Sequence, residues 1–448
     1  MNPIFPMTLR FPMTLRGLDR RTFLRGSSAL AIAAAAASHN AAAAPVDTRA
    51  RIVIAGGGAA GLTVASRLAR RLNGAEIVMI EPRMEHNYQP GFTLVGAGVK
   101  PASYVKLATA DFVPSGVRWV RESVAEFDPA ANKVVTDKNT ALSYDFLVVA
   151  TGLVLDYDAI EGMSRDLIGK SGIASVYAGP EQAEASWKAL AQFCETGGTG
   201  LFGRPETEMK CAGAPLKQTF LADDHLRRKG IRGKAELIYN AHNPALFSVP
   251  KVDARVRDLF ARQEIKTNFS HVLKRVDPAR RIATYATPKG LVEMKWDFIN
   301  IIPPMRAPSA IRKSPLPWQS GAWAADGWIE VDRATLRHVR FANVFGVGDI
   351  NGVPKGKTAA SVKWQAPVAV DHLVATITGK PATETYNGYT SCPLITRIGQ
   401  AMLVEFDYND NLTPSFPFID PLQEHWLAWV IKEKALKANY TAMLQGLA

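Results

Sequence analysis

The chain has 448 residues, 47% hydrophobic and 21% charged, enough for two or three domains with buried cores; this excludes a disordered, collagen-like or coiled-coil protein. Three cysteines cannot make a disulfide framework, so core packing must hold the fold and each thiol raises a chemical question. The net charge of +12 suggests an anionic partner such as a nucleotide, nucleic acid or membrane surface.

Residues 1–44 read as a twin-arginine export signal. Asp19-Arg20-Arg21-Thr22-Phe23-Leu24 opens it, a weakly apolar Ala-rich stretch from Leu30 to Ala37 follows, and Ala42-Ala43-Ala44-Pro45 offers small residues to a peptidase. The repeat of Phe5–Arg10 as Phe11–Arg16 is a local duplication without an assigned function. This segment holds five Arg and one Asp, which leaves +8 on the rest and makes nucleic acid an unattractive partner. The route exports folded proteins, so a periplasmic protein that acquires its cofactor before export is expected. No later run of about 18 apolar residues predicts a membrane-spanning helix.

Arg51-Ile52-Val53-Ile54-Ala55 has the pattern of a buried strand, and Gly56-Gly57-Gly58-Ala59-Ala60-Gly61 follows at once. A helical run from Leu62 to Leu72 and a second apolar strand, Ile77–Ile80, lead to Glu81. Strand, Gly-rich turn, helix, strand and acid in this order form a dinucleotide fingerprint. Gly56 suits the tight turn, Gly58 the approach of a pyrophosphate to backbone amides, and Gly61 the packing of helix on strand. Glu81 is placed to accept from ribose hydroxyls. The strand ending in Ala150-Thr151-Gly152, and Asn343–Val347 leading to Gly348-Asp349, are typical of two-dinucleotide-domain flavoproteins, so the cofactor is expected to be FAD. The helix after Asp349 would point its positive end at the flavin.

The intervening region has no second fingerprint. Gly197-Gly198-Thr199-Gly200-Leu201-Phe202-Gly203 lacks the spacing and runs into Arg204-Pro205-Glu206. The middle domain is therefore expected to be Rossmann-like without a nicotinamide site, and electrons must come from a donor other than NADH.

Several blocks resemble sulfide:quinone oxidoreductases, in the branch that includes the mitochondrial enzyme: His86-Asn87-Tyr88-Gln89-Pro90-Gly91-Phe92, Met209-Lys210-Cys211-Ala212-Gly213-Ala214-Pro215, Ile302-Pro303-Pro304-Met305-Arg306, and Gly388-Tyr389-Thr390-Ser391-Cys392-Pro393-Leu394 with Glu405-Phe406-Asp407-Tyr408. They span the chain from about residue 51 to its end. The resemblance implies two-electron oxidation of sulfide to protein-bound sulfane sulfur, reduction of FAD, and transfer of the electrons to membrane quinone. It implies a pair of redox cysteines, the first at Cys211, whose neighbours Lys210 and Lys217 favour a thiolate. The second is expected directly after the Gly-Asp motif, where this chain has Ile350. Cys392 does not obviously substitute, since the resemblance implies that its Thr-Ser-Cys-Pro block also occurs in relatives with both redox cysteines; a Cys211–Cys392 pair is the less favoured alternative, and Cys194 on an apolar helix reads as core. Three routes stay open: Cys211 acting with the flavin or with an external thiol, direct reduction of the flavin by sulfide, or a different small reductant.

The resemblance also places Gln89 and Val124 against FAD, and Lys357, at the start of the helix after Asp349, toward the flavin. From Pro421 onward Leu422, Trp426, Trp429, Val430, Leu436, Tyr440, Met443, Leu444 and Leu447 recur at helical spacing with Lys432, Lys434 and Lys437 among them. This suits a helix at a membrane interface or one packed on the flavin domain. The expected α/β architecture is two Rossmann-like domains plus a C-terminal amphipathic tail: FAD-binding 45–155 and 300–385, the second domain 156–299, and a membrane- and quinone-associated region 386–448. A cytochrome c acceptor, a homo-oligomer and a non-catalytic flavin-binding pseudoenzyme are the alternatives.

Overall fold

A computed structural model describes residues 44–448; the export signal assigned to residues 1–44 lies outside the described residues apart from Ala44. Two parallel five-stranded sheets organise the chain. The first has the order Val344–Gly346, Phe146–Val149, Arg51–Ala55, Glu76–Ile80, Val117–Val120, with every neighbour parallel. Ile52, Val53, Ile54 and Ala55 are all buried, as a continuous apolar run must be when helices or other layers cover both faces of a sheet. Its outermost strand enters only after the second sheet is complete. That second sheet runs Ile173–Ala174, Phe298–Asn300, Gly198–Gly203, Ala235–Asn240, Lys266–Asn268, again all parallel.

The helix Ala59–Arg71 and the helix Ala359–Thr378 bury Leu62, Ala65, Leu68, Val362, Ala366 and Leu373 in one core with the first sheet. The second helix starts where Thr358 Oγ1 accepts from the Ser361 amide and ends at Gly379, whose φ of 66° is the left-handed conformation that stops a helix.

The region 386–448, expected as an amphipathic tail at a membrane interface or packed on the flavin domain, packs into both cores. Its hairpin, Thr390–Arg397 with Gln400–Phe406, puts Cys392, Leu394, Met402 and Val404 into the core of the second sheet's layer with Leu216 and Phe220. The terminal helix Leu436–Leu444 buries Tyr440, Met443 and Leu444 against the first domain's core. The apolar stripe read from the sequence is thus largely spent on the protein itself. Among the described residues no helix is long and apolar enough to cross a membrane.

Candidate active site

The Gly-rich turn shows the close approaches that its glycines permit. Gly56 has a φ of 108°, and a Cβ there would lie 2.4 Å from the Ala150 carbonyl oxygen. A Cβ on Gly61 would lie 1.8 Å from the Gly56 oxygen, so the helix rests directly on the turn. At Gly58 a Cβ would meet nothing within 4 Å, which leaves open the space before the first-turn amides of Ala59, Ala60 and Gly61. Gly348 is packed against this same helix start, since its Cβ would lie 2.9 Å from that of Ala60. The Thr151 hydroxyl is buried without a hydrogen-bond partner beside Gly152, whose φ is 65°. An open, amide-lined slot between the two halves of the motif fits the pyrophosphate and ribityl chain of FAD.

Glu81 has a duty the sequence did not disclose. Its Oε2 accepts from the Gly57 amide at 2.9 Å, and its two oxygens accept from Arg83 Nε and Nη2 at 2.7 and 2.9 Å. Burial works against its charge, but these bonds outweigh it and hold Glu81 below the ordinary carboxylate range. Glu81 therefore braces the turn from beneath. Val124 starts the strand Val124–Asp128, paired with Thr136. Gln89 is exposed, and its Oε1 accepts from Lys210 Nζ at 2.7 Å.

The Gly-Asp turn and Cys211 meet through Lys357. This lysine precedes the helix rather than beginning it, and it is buried: its Nζ donates to the carbonyls of Asp349 and Asn351, both at 2.7 Å, and lies 3.7 Å from the Trp328 ring centroid. Its own carbonyl accepts from the Cys211 amide at 2.9 Å. Burial pushes Lys357 and Lys210 down to about 8, and it pushes Asp349 up against the pull of both lysines. One thiol and three titratable groups of depressed charge are thus gathered where the flavin motif ends.

Cys211 does have a thiol partner. Ile350 stands after Asp349 as an apolar core residue, fully buried in one cluster with Trp328, Ile329 and Val353. The second sulfur comes instead from Cys392 on the C-terminal hairpin, close enough that the two thiols shift each other's proton affinity in opposite directions. Gly213 makes the approach possible, because a Cβ there would sit 2.3 Å from Cys392 Sγ. Cys211 itself holds a φ of 48°, a left-handed conformation that costs a non-glycine residue on the order of 1 kcal/mol or more. The Tyr177 hydroxyl and the Ala214 amide both donate to the Cys211 carbonyl and hold this turn, just ahead of the helix Ala214–Arg228.

The pair is electrostatically unequal. The neighbouring Cys392 thiol, then Lys217 and Lys432, hold Cys211 well below the usual thiol range against the effect of burial. The Cys211 sulfur and burial push Cys392 up. Lys217 Nζ lies 3.6 Å from Cys211 Sγ; burial disfavours its charge, but the sulfurs outweigh burial and raise it. Lys432, 2% exposed, donates to the Pro90 carbonyl at 2.5 Å, and burial with Lys217 pushes it down to about 7.

Lys432 is the residue that sequence reasoning missed, and Cys392 the one it ranked as the less favoured partner. Helical spacing put Lys432 among the solvated lysines of the terminal stripe, but a π-helical turn, Ile431–Ala435, changes the register there and turns it inward. Cys194, by contrast, is core as expected: burial pushes its thiol up to about 12.

A titration follows from Lys432. Below pH about 7 it adds a positive charge near Cys211, and as pH rises through about 7 it loses its proton and that support. Lys432→Met should therefore raise the Cys211 pKa by about one unit when measured below pH 7, with variant and wild type converging above it. Thiolate absorbance of the reduced protein reads this directly, since Cys194 does not titrate in that window. Superimposable curves would remove Lys432 from the site's electrostatics.

The dinucleotide slot, the Gly-Asp turn and the thiol beside it define a FAD-dependent oxidoreductase built on two Rossmann-like sheets. Residues 50–188 match the family described as Pyridine nucleotide-disulphide oxidoreductase. Beyond that class, the chain is 37% identical over 398 residues to the mitochondrial sulfide:quinone oxidoreductase of Dictyostelium discoideum, covering 88% of this chain and 86% of that one. It is 35% identical to the mouse mitochondrial enzyme, with 88% and 86% covered. The solved sulfide:quinone oxidoreductase of Aquifex aeolicus superposes with a TM-score of 0.73 over 89% of this chain and 92% of that one, at 20% identity. The chain belongs to the sulfide:quinone oxidoreductase family.

Proposed function

We propose that this protein oxidises sulfide at the Cys211–Cys392 pair and passes two electrons through FAD to membrane quinone. The observation that carries this is the packing of Cys392 against the Cys211–Gly213 turn, beside two buried lysines, Lys217 and Lys432. In the oxidised protein the two sulfurs form a disulfide. Hydrosulfide attacks Cys392 Sγ; the S–S bond breaks and its electron pair leaves on Cys211, the thiol of lower pKa and so the better leaving group. Cys392 then carries the sulfane sulfur as a persulfide. Lys217 and Lys432 hold the negative charge that appears on Cys211. A nucleophilic acceptor removes the sulfane sulfur, and the two thiolates close again to the disulfide as two electrons leave. FAD, when bound, would supply the two-electron acceptor for that step, with quinone as the final acceptor.

The residues toward FAD are the Gly56–Gly61 turn, Glu81 through the turn, Gln89, Val124, Thr151-Gly152, Gly348-Asp349 and Lys357. Phe418 (65% exposed), Trp364 and Leu447 remain exposed, and together with the +8 charge they favour peripheral contact with an anionic membrane. The twin-arginine pattern in residues 1–44 supports a periplasmic location for the site.

Anaerobic addition of sulfide, with sulfite as the sulfane acceptor, to the FAD-loaded protein should bleach the flavin, and a short-chain quinone should restore its colour with one quinol formed per sulfide consumed. If the flavin stays oxidised in sulfide, the sulfide assignment falls. If quinone does not reoxidise it while a cytochrome c does, the acceptor assignment falls.

A further inference from the structure

The second sheet contains a cavity of about 140 Å³ that the redox site does not use. It lies where the strands Gly198–Gly203, Ala235–Asn240 and Phe298–Asn300 end, the carboxyl edge at which ligands settle in open parallel sheets. Its wall is mixed: Phe202, Leu273 and Ile301 are apolar, Arg204, Asn240 and Asn300 polar.

Three features of that wall point to a ligand. Asn300 is 4% exposed, yet neither its amide nitrogen nor its oxygen has a hydrogen-bond partner. A buried amide left in this state costs on the order of 1–3 kcal/mol, and a bound molecule that pairs with it recovers the cost. Asn240 is 1% exposed; its Oδ1 accepts from Asn268, and its NH2 has no neighbour to donate to beyond the Tyr285 phenol. Among the described residues Arg204 forms no ion pair, and its buried Nε has no hydrogen-bond partner. The other charges around the opening are already matched, Lys274 with Glu206 at 2.7 Å and Arg306 with Asp156 and Asp326 at 2.8 and 3.0 Å.

We infer that this cavity binds a small organic carboxylate. Arg204 takes the carboxylate, the Asn240 and Asn300 amides add donors, the Asn300 oxygen accepts from a hydroxyl or amine of the ligand, and the apolar wall covers a short carbon body. A cavity of this size holds about six to nine non-hydrogen atoms. A dinucleotide does not fit this chemistry, because Arg204-Pro205 stands where a phosphate-binding turn would need open backbone amides. The segment that carries Arg204 continues to Cys211 and is tied midway, where the Met305 amide donates to Thr207 Oγ1 at 2.9 Å and the Lys210 amide to Met305 Sδ at 3.4 Å. A ligand held by Arg204 thus braces the strand end from which the reactive loop departs.

Isothermal titration of the FAD-loaded protein with benzoate, acetate and inorganic phosphate tests this. Benzoate should bind with one site per chain and more tightly than acetate, and phosphate should give no heat. Arg204→Gln, at a half-buried position that should not threaten folding, should weaken benzoate binding about tenfold or more. Asn300→Asp, close in shape but repelling a carboxylate, should abolish it, with flavin content reporting that the variant has folded. Absence of binding by both carboxylates, binding unchanged in Arg204→Gln, or phosphate bound as tightly as benzoate would each overturn the inference.

Discussion

Cys211→Ser and Cys392→Ser should each slow flavin reduction by sulfide roughly 10³-fold or more, and the double variant should be no slower than either single one. The reason is chemical balance. A disulfide needs both sulfurs: without Cys392 there is no electrophile for hydrosulfide to attack, and without Cys211 no leaving group. Residues that act as one unit lose the whole effect with the first removal. Stopped-flow bleaching under anaerobic conditions measures it, with flavin absorbance before mixing as the check that FAD is bound. Cys392→Ser reacting within tenfold of wild type would return the mechanism to Cys211 with an external thiol. Cys194→Ala serves as the neutral control, since that thiol is enclosed by Phe193, Leu190 and the rest of the second sheet's core.

The second large effect separates the two roles of the Gly-rich turn. At Gly61 an added Cβ lands 1.8 Å from the Gly56 carbonyl oxygen, a backbone atom that cannot move aside without breaking the strand-to-helix contact. Gly61→Ala should therefore yield protein that neither retains FAD nor melts cooperatively. At Gly58 the same Cβ touches nothing, so Gly58→Ala should keep the fold. Its methyl group projects into the slot before the first-turn amides, however, and should weaken FAD at least tenfold by obstructing the pyrophosphate. Flavin-to-protein ratio and thermal melting of the two variants distinguish these outcomes. If Gly58→Ala binds FAD as tightly as wild type, the pyrophosphate does not sit there.

Much of the fold is legible in local pattern. Ile52–Ala55 and Phe146–Val149 are apolar runs bounded by glycine, and their motifs carry enough order to place them side by side in one sheet. The thiol pair is not legible in that way. Cys211 and Cys392 are 181 positions apart, and what joins them is the packing of the hairpin Thr390–Phe406 on the helix Ala214–Arg228, a tertiary fact without a local signature. The family pattern puts the second cysteine after Asp349, where Ile350 stands, so in sequence the Thr-Ser-Cys-Pro block ranks only as the less favoured partner. Gly213 held a usable clue, since a glycine two residues from a reactive cysteine allows something to approach closely. Lys432 was hidden by a different cause, because ideal helical spacing assigns the wrong face once a π turn intervenes.

The terminal region shows the limit of reading amphipathicity. Nine apolar positions from Leu422 to Leu447 made a plausible interface helix, but Tyr440 bonds His86 Nε2 at 2.6 Å and Leu444 is fully buried. Of that stripe only Leu447 stays strongly exposed, and the exposed Phe418 and Trp364 come from other stretches of the chain.

Peptide mapping of the oxidised protein tests the central claim most directly. Air-oxidised, FAD-loaded protein digested without reductant should yield a peptide linked through Cys211 and Cys392, with Cys194 free. One equivalent of sulfide under anaerobic conditions should convert the linked peptide to a Cys392 persulfide in step with its consumption. A protein that reduces its flavin with sulfide while Cys211 and Cys392 stay unlinked in the oxidised state would contradict the account.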